Sequence, residues 1–137
     1  MPVKLEHIRT PSDADWIDIE KIHKDTAPQQ GLTSTPLEIS TRIAAGDWMV
    51  AARFNDRIIG LLLVRQQDNQ VLIDQAGVRT LTQRRGVMHQ TITLLGQWAT
   101  EQSLTLVCQN VPVALQTALE HRGFRSQDNL WIKTPDV

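Results

Sequence analysis

The stretch VLIDQAGVRTLTQRRGVMHQTITLLGQW, residues 71–98, decides the fold. It opens with a run, 71–78, that reads as a strand. From 86 to 101 the spacing is helical: Val87, Thr91, Leu94, Leu95 and Trp98 fall on one face and are the expected core positions. Between the two lies a basic turn carrying Arg79, Arg84, Arg85 and Gly86. A strand feeding a glycine turn and then a helix suits an anion. The first N–H groups of a helix have no partner within it, and the helix dipole adds partial positive charge at the same place. Gly86 permits a positive φ or a close backbone approach, and the arginines can neutralise phosphate oxygens. A solvated basic loop that caps a helix fits the short Arg/Gly motif as well, so context must decide.

Upstream, 47–67 reads as two strands around the tight turn FNDR, because Asn55 and Asp56 tolerate unusual backbone angles. DNQ, 68–70, turns the chain into 71–78, the third strand of a meander. Before it come a strand at 3–9 and two helices. The helix over 11–25 has Ser12 as its cap, with Asp15 three residues on. The helix over 35–46 has Thr35 as cap, Pro36 in the first turn, Glu38 as capping-box partner and Gly46 as stop. Downstream follow a buried strand at 104–110, a helix at 112–123 and short strands at 124–126 and 130–134. The order is β-α-α-β-β-β-α-β-α-β-β. This is an α/β (α+β) pattern, and a mixed, mostly antiparallel sheet with helices on both faces is its natural packing. The near-continuous apolar runs 58–64 and 104–108 are expected at the sheet centre.

Composition bounds the function. The 137 residues suit one domain, expected over 1–137. The formal net charge of −1 gives no overall basic field for nucleic acid, so any positive site is local. Cys108 is the single cysteine, which excludes an intrachain disulfide and fits a reducing compartment. The start MPVKLEHIRT shows no apolar signal region, and IIGLLLV, 58–64, is too short to span a bilayer. The cytoplasm is the expected location, with no membrane partner.

In this setting Gln83-Arg84-Arg85-Gly86-Val87-Met88 resembles motif A of the GNAT superfamily of N-acetyltransferases, Gln/Arg-x-x-Gly-x-Gly/Ala. The first glycine matches; Met88 stands where the pattern has a small residue. The order of elements and the turn HRGF, 121–124, are similar to that fold too. The resemblance implies acetyl-CoA (or CoA) as ligand. Its pantetheine arm would lie along Ala76, Gly77 and Val78, like an added strand. Its pyrophosphate would sit on the turn and helix start: Thr82, Gln83, Arg84, Arg85, Gly86, Val87, Met88, His89 and Gln90. AARFNDRIIG, 51–60, and VRTLTQRRGV, 78–87, resemble one branch of the superfamily, the PanZ/PanM-like regulators. These promote maturation of aspartate 1-decarboxylase in pantothenate biosynthesis and regulate it in response to acetyl-CoA. On that resemblance Arg53, Asn55 and Arg57 are candidate partner contacts. Read from the residues alone, they are a tight turn flanked by solvent-side arginines.

Direct acetyl transfer to an amine needs a base, oxyanion donors and an acid for the leaving thiolate. Many GNAT enzymes use a tyrosine as that acid, and this chain has none. Cys108, on an apolar strand, reads as core. Glu6, His7, Asp74, His89 and His121 are the available bases, and Asp74 lies closest to the expected site; it also reads as a solvent-side residue or an arginine's partner. No Ser/His/Asp constellation and no metal-ligand spacing is found. Two readings therefore stand: an acetyl-CoA-binding regulator of aspartate 1-decarboxylase, and a small N-acetyltransferase for an unidentified amine.

Overall fold

The computed structural model describes residues 2–29, 31–82 and 86–135. Its strands are β1 (Lys4–Ile8), β2 (Trp48–Phe54), β3 (Arg57–Gln67), β4 (Gln70–Val78), β5 (Thr105–Cys108), β6 (Arg125–Gln127) and β7 (Leu130–Lys133). Its helices are α1 (Asp13–Thr26), α2 (Pro36–Ala44), α3 (Val87–Glu101) and α4 (Val113–His121). The strands form one sheet in the order β1-β2-β3-β4-β5-β7-β6. Every neighbouring pair is antiparallel except β4–β5. The expected α/β order and mixed sheet are therefore present.

Local chemistry sets the element ends. Both expected capping boxes form: Ser12 with Asp15 opens α1, and Thr35 with Glu38 opens α2, each side chain serving the other's backbone N–H. Gly46, at φ 107°, stops α2. Asn55 and Asp56 both take left-handed angles, φ 50° and 64°, and close the β2–β3 hairpin tightly. Asp128 and Asn129 do the same for β6–β7. Pro112 caps α4, where a missing N–H costs nothing.

Two apolar layers flank the sheet. On one face Ile19 and Ile22 of α1 and Ile39 of α2 pack with Met49, Ala51, Leu61 and Leu63. On the other, Ile92, Leu95 and Ala99 of α3 and Leu119 of α4 pack with Val50, Leu62, Val64 and Leu106. β2 and β3 are thus buried on both sides, which is why they read as continuous apolar runs. Fully burying such side chains is worth roughly 1.5–3 kcal/mol each.

β3 and β5, whose apolar runs suggested the centre, lie inside the sheet as its third and fifth strands, on either side of β4. One expectation needs correction. On α3 the buried stripe is Val87, Thr91, Ile92, Leu95, Gly96 and Ala99. Leu94 and Trp98 lie only half-buried, because the sheet meets the helix one position round from the stripe inferred.

Candidate functional site

The parallel pairing of β4 and β5 is short. It runs from Gln70↔Thr105 to Ile73↔Cys108, and its last rung is the Gln109 N–H to the Ile73 carbonyl, 2.8 Å. Beyond that rung β4 continues to Val78 while the chain after β5 turns away towards α4. A cleft of about 70 Å³ opens where they diverge, with Ile73, Ala76, Met88, Ile92, Cys108, Leu119 and Phe124 among its walls.

The backbone of β4 presents an edge to this cleft. The Arg79 N–H donates to the Ile59 carbonyl (2.8 Å), which makes that pair a hydrogen-bonded one of the β3–β4 ladder. By alternation Leu61↔Gly77 and Leu63↔Gln75 are hydrogen-bonded pairs too. Ala76, opposite Leu62 in a non-bonded pair, therefore turns its N–H and C=O towards the cleft. Val78 follows the same alternation. Gly77 differs: its absent side chain faces α1, where a Cβ would stand 2.7 Å from Thr26 Oγ1 and 2.9 Å from Ile22 Cγ2. Its smallness serves helix packing.

A bulge interrupts β4 here. Val64 pairs with Ile73 and Leu63 with Gln75, so Asp74 is an extra residue. Asp74 and Gln75 consequently both reach partners from the α1–α2 side. Gln75 bonds Ser34 through its amide nitrogen and accepts the Ser34 N–H, each at 2.8 Å. Asp74 Oδ2 accepts from Arg42 Nη1 at 2.8 Å. Arg42 also donates to buried Asp47, which receives Arg65 on its other side. Burial pushes the Asp47 carboxyl up, but the hydrogen bonds of Arg65 and Arg42 outweigh it and hold the group below the usual carboxylate range. Asp74 Oδ1 is buried beside the cleft without a partner among the described residues. The candidate base thus carries one bonded and one open oxygen.

Two residues before Met88, Gly86 takes φ 74° and caps α3 with no side-chain bond. A Cβ there would meet nothing within 4 Å, so the glycine supplies conformation rather than room. Val87 is buried and His89 exposed. Met88 turns inward and lines the cleft. Gln90 Oε1 accepts the Val3 N–H at 3.1 Å. Thr82 folds its hydroxyl back onto the Arg79 carbonyl (2.9 Å). Gln83, Arg84 and Arg85 lie outside the described residues. Arg79, expected to serve an anion, instead pairs with Asp25 at 2.7 Å, and Asp25 also accepts the Thr80 N–H.

The hairpin arginines are likewise engaged within the chain. Arg53 pairs with Glu6 and with Asp15 of α1 (3.0 Å). Arg57 forks onto Asp18, which also accepts the Ile58 N–H at 3.1 Å. Burial raises the Asp18 carboxyl, and the bonds from Arg57 and Ile58 more than reverse this, leaving it lowered. Arg57 stays half exposed, and Asn55 and Asp56 are fully outward at the tip. Of the other candidate bases, His7 stacks on Trp98 (4.3 Å between rings) and accepts from Trp48 Nε1. Burial and the charge of Arg9 lower its pKa. His121 ends α4, exposed. Burial pushes the Cys108 thiol up to about 12, so it stays protonated at neutral pH. Among the described residues no three His, Cys, Asp or Glu side chains are grouped to hold a metal. No helix there is long and apolar enough to cross a membrane.

A mixed sheet that splits between β4 and β5, with a bulge beside the split and a glycine-capped helix along it, defines a protein of the GNAT class. Solved structures agree on the fold. The Escherichia coli ribosomal-protein-S18-alanine N-acetyltransferase superposes with a TM-score of 0.75 at 10% identity, covering 99% of this chain and 96% of the other. The putative N-acetyltransferase YhhK from E. coli, solved bound to coenzyme A, gives 0.70 at 24% identity, over 98% and 99%. The family model for the acetyltransferase (GNAT) domain PanZ matches residues 2–131, and the chain belongs to that family. A PanD regulatory factor from Salmonella typhimurium (strain LT2) is 35% identical over 85 residues, 62% of this chain. The matched stretch spans 57% of that relative's length.

Proposed function

We infer that the chain is an acetyl-CoA-binding regulator that promotes maturation of aspartate 1-decarboxylase and governs it in response to the coenzyme. The observation that carries this reading is the cleft at the β4–β5 divergence. It joins an open strand edge at Ala76 to the first turn of α3 at Met88. An extended amide-bearing arm fits the edge as an added strand, and a pyrophosphate fits the helix start. The residues present suit acetyl-CoA: Ala76 and Val78 for the pantetheine arm, the turn from Thr82 to Gln90 with Arg84 and Arg85 for the phosphates, and apolar walls for the acyl end. Gly77 contributes by letting α1 pack against β4. When bound, the coenzyme supplies an activated acetyl thioester; as a regulator the chain needs only to sense it. Membership of the PanZ family and the CoA-bound state of YhhK support the ligand, and the Salmonella relative supports the partner. The hairpin tip at Asn55, with the outer side of Arg57, is the proposed partner surface, and Arg53 braces it from within. We place the protein in the cytoplasm as one domain over residues 1–137.

A second reading, a small N-acetyltransferase, is favoured by one observation: Asp74 Oδ1, buried beside the cleft, has no hydrogen-bond partner among the described residues. The absence of tyrosine leaves that reading without its usual acid. A pull-down separates the two. Aspartate 1-decarboxylase retained more strongly with acetyl-CoA present supports the regulator; indifference to acetyl-CoA counts against it, and steady CoA release with a panel of amines moves the conclusion to an enzyme. In calorimetry, Arg84→Ala with Arg85→Ala should weaken acetyl-CoA binding and spare the thermal transition. Unchanged affinity would remove the two arginines from the site.

A further inference from the structure

Met88 stands in the second position of α3, where the motif has a small residue, and its side chain is neither solvated nor fully packed. It bridges two apolar clusters, the small one of Ala52, Val78 and Val87 and the large one under α3 and α4. It also lines the cleft, one helical turn before Ile92. Along α3 the lining residues come in the order Met88, Ile92 and Leu95, so Met88 is the one nearest the helix start.

The cleft is narrow. Its volume of about 70 Å³ holds a few waters, whereas sites for sizeable organic ligands run to roughly 300–1,000 Å³. It must widen to admit a pantetheine arm. The walls differ in how easily they give way. β4 is tied to β3 through Gly60–Leu63, and Ile92, Leu95 and Cys108 are under a tenth exposed. Met88 is half-buried, sits in the first turn of its helix and is unbranched, with a soft thioether that repacks at low cost.

We propose that Met88 is a side-chain gate on the cleft: its inward rotamer closes the arm's path, and it must swing out before a CoA thioester can seat against Ala76. This rests on the cleft being the coenzyme site. Binding then draws on the fraction of molecules with Met88 out, and the apparent Kd is raised by that fraction.

The sign of a substitution tests it. Met88→Ala removes the gate, so acetyl-CoA should bind tighter, about tenfold or more where the open rotamer is a minor state of a tenth or less. Met88→Ile keeps the bulk but is stiff at χ1 in a helix, so it should bind weaker than wild type. A side chain that merely contacts the ligand gives the opposite order, with Met88→Ala the weaker. Calorimetry with acetyl-CoA and with free CoA on wild type and both variants, alongside thermal unfolding to confirm folding, decides between them. Wild type that binds poorly while Met88→Ala binds well supports the gate outright. Met88→Ala equal to or weaker than wild type overturns it, even where acetyl-CoA binding stands. If neither wild type nor Met88→Ala binds, the gate and the coenzyme site fall together. If acetyl-CoA binds and the gate order holds but the decarboxylase does not associate, only the regulatory reading fails.

Discussion

Gly77→Ala places one methyl group between the sheet and α1, and its cost can be worked from the contacts. The new Cβ would lie 2.7 Å from Thr26 Oγ1, 2.9 Å from Ile22 Cγ2 and 3.3 Å from Leu32 Cβ. Thr26 cannot simply rotate away. Its hydroxyl donates to the Ile22 carbonyl at 2.8 Å and accepts the Leu32 N–H at 2.9 Å, and each such bond is worth about 1 kcal/mol. Ile22 and Leu32 have no exposed surface to move into. Overpacking of this kind costs about 1–3 kcal/mol. Restricting the unfolded backbone gives back roughly half a kcal/mol where the native angles suit alanine. A net loss of about 2 kcal/mol is expected. With an unfolding entropy near 2.1 cal/mol/K per residue, the melting temperature of a chain this long should fall by about 7 °C. Calorimetric melts of wild type, Gly77→Ala, Thr26→Ala and the double variant measure it. The double variant should cost less than the sum of the singles, since removing the Thr26 side chain relieves the worst contact. A Gly77→Ala protein melting within a degree of wild type, or strict additivity, would refute the packing argument for this glycine.

Two more expectations concern pH and the hairpin. Asp15, Asp18, Asp25 and Asp47 all titrate below their ordinary value in the folded chain, so their stabilisation is full above about pH 4 and is lost as pH falls through the lowered folded values. His7 is also lowered, so the unfolded chain takes up its proton first and stability starts to fall below about 6.5. Urea midpoints should therefore drop in two steps on acidification, and His7→Gln should abolish the upper one; midpoints flat from pH 7 to 3 would sink this account. For the hairpin, Asn55→Gly keeps the left-handed turn but deletes the amide, so it should leave the melting temperature nearly unchanged while weakening decarboxylase binding. Wild-type binding by that variant would reduce Asn55 to a turn residue.

What the sequence disclosed was local. Ser12 with Asp15, Thr35 with Glu38, and Asn55-Asp56 announce their structures because cap and turn chemistry acts over two or three residues. The step from β4 through Gly86 into α3 was legible for the same reason. The unread features join distant parts of the chain. Arg57 meets Asp18 across 39 residues and Arg79 meets Asp25 across 54, so neither arginine showed that it was already engaged. The bulge at Asp74 was hidden because a period-two reading assumes an unbroken ladder; nothing in VLIDQAGV marks the extra residue. The stripe on α3 was displaced because Ile92 and Leu94 are equally apolar, and only the sheet beneath chooses between them.

The split between β4 and β5 also bears on self-association. Unpaired strand edges on the outside of a sheet invite other chains, and proteins blunt them. Here the outer strands are short, five residues in β1 and three in β6. The β4 edge at Ala76, which β5 leaves behind, is instead recessed inside the sheet, roofed by Met88 and Ile92 and floored by α1. A second polypeptide carries side chains on both faces of its backbone and cannot slide into such a slot. A slender amide chain without side branches asks far less widening of it. The fold thereby keeps a strand's appetite for hydrogen bonds and restricts who may satisfy it, screening by thickness before any specific contact is made.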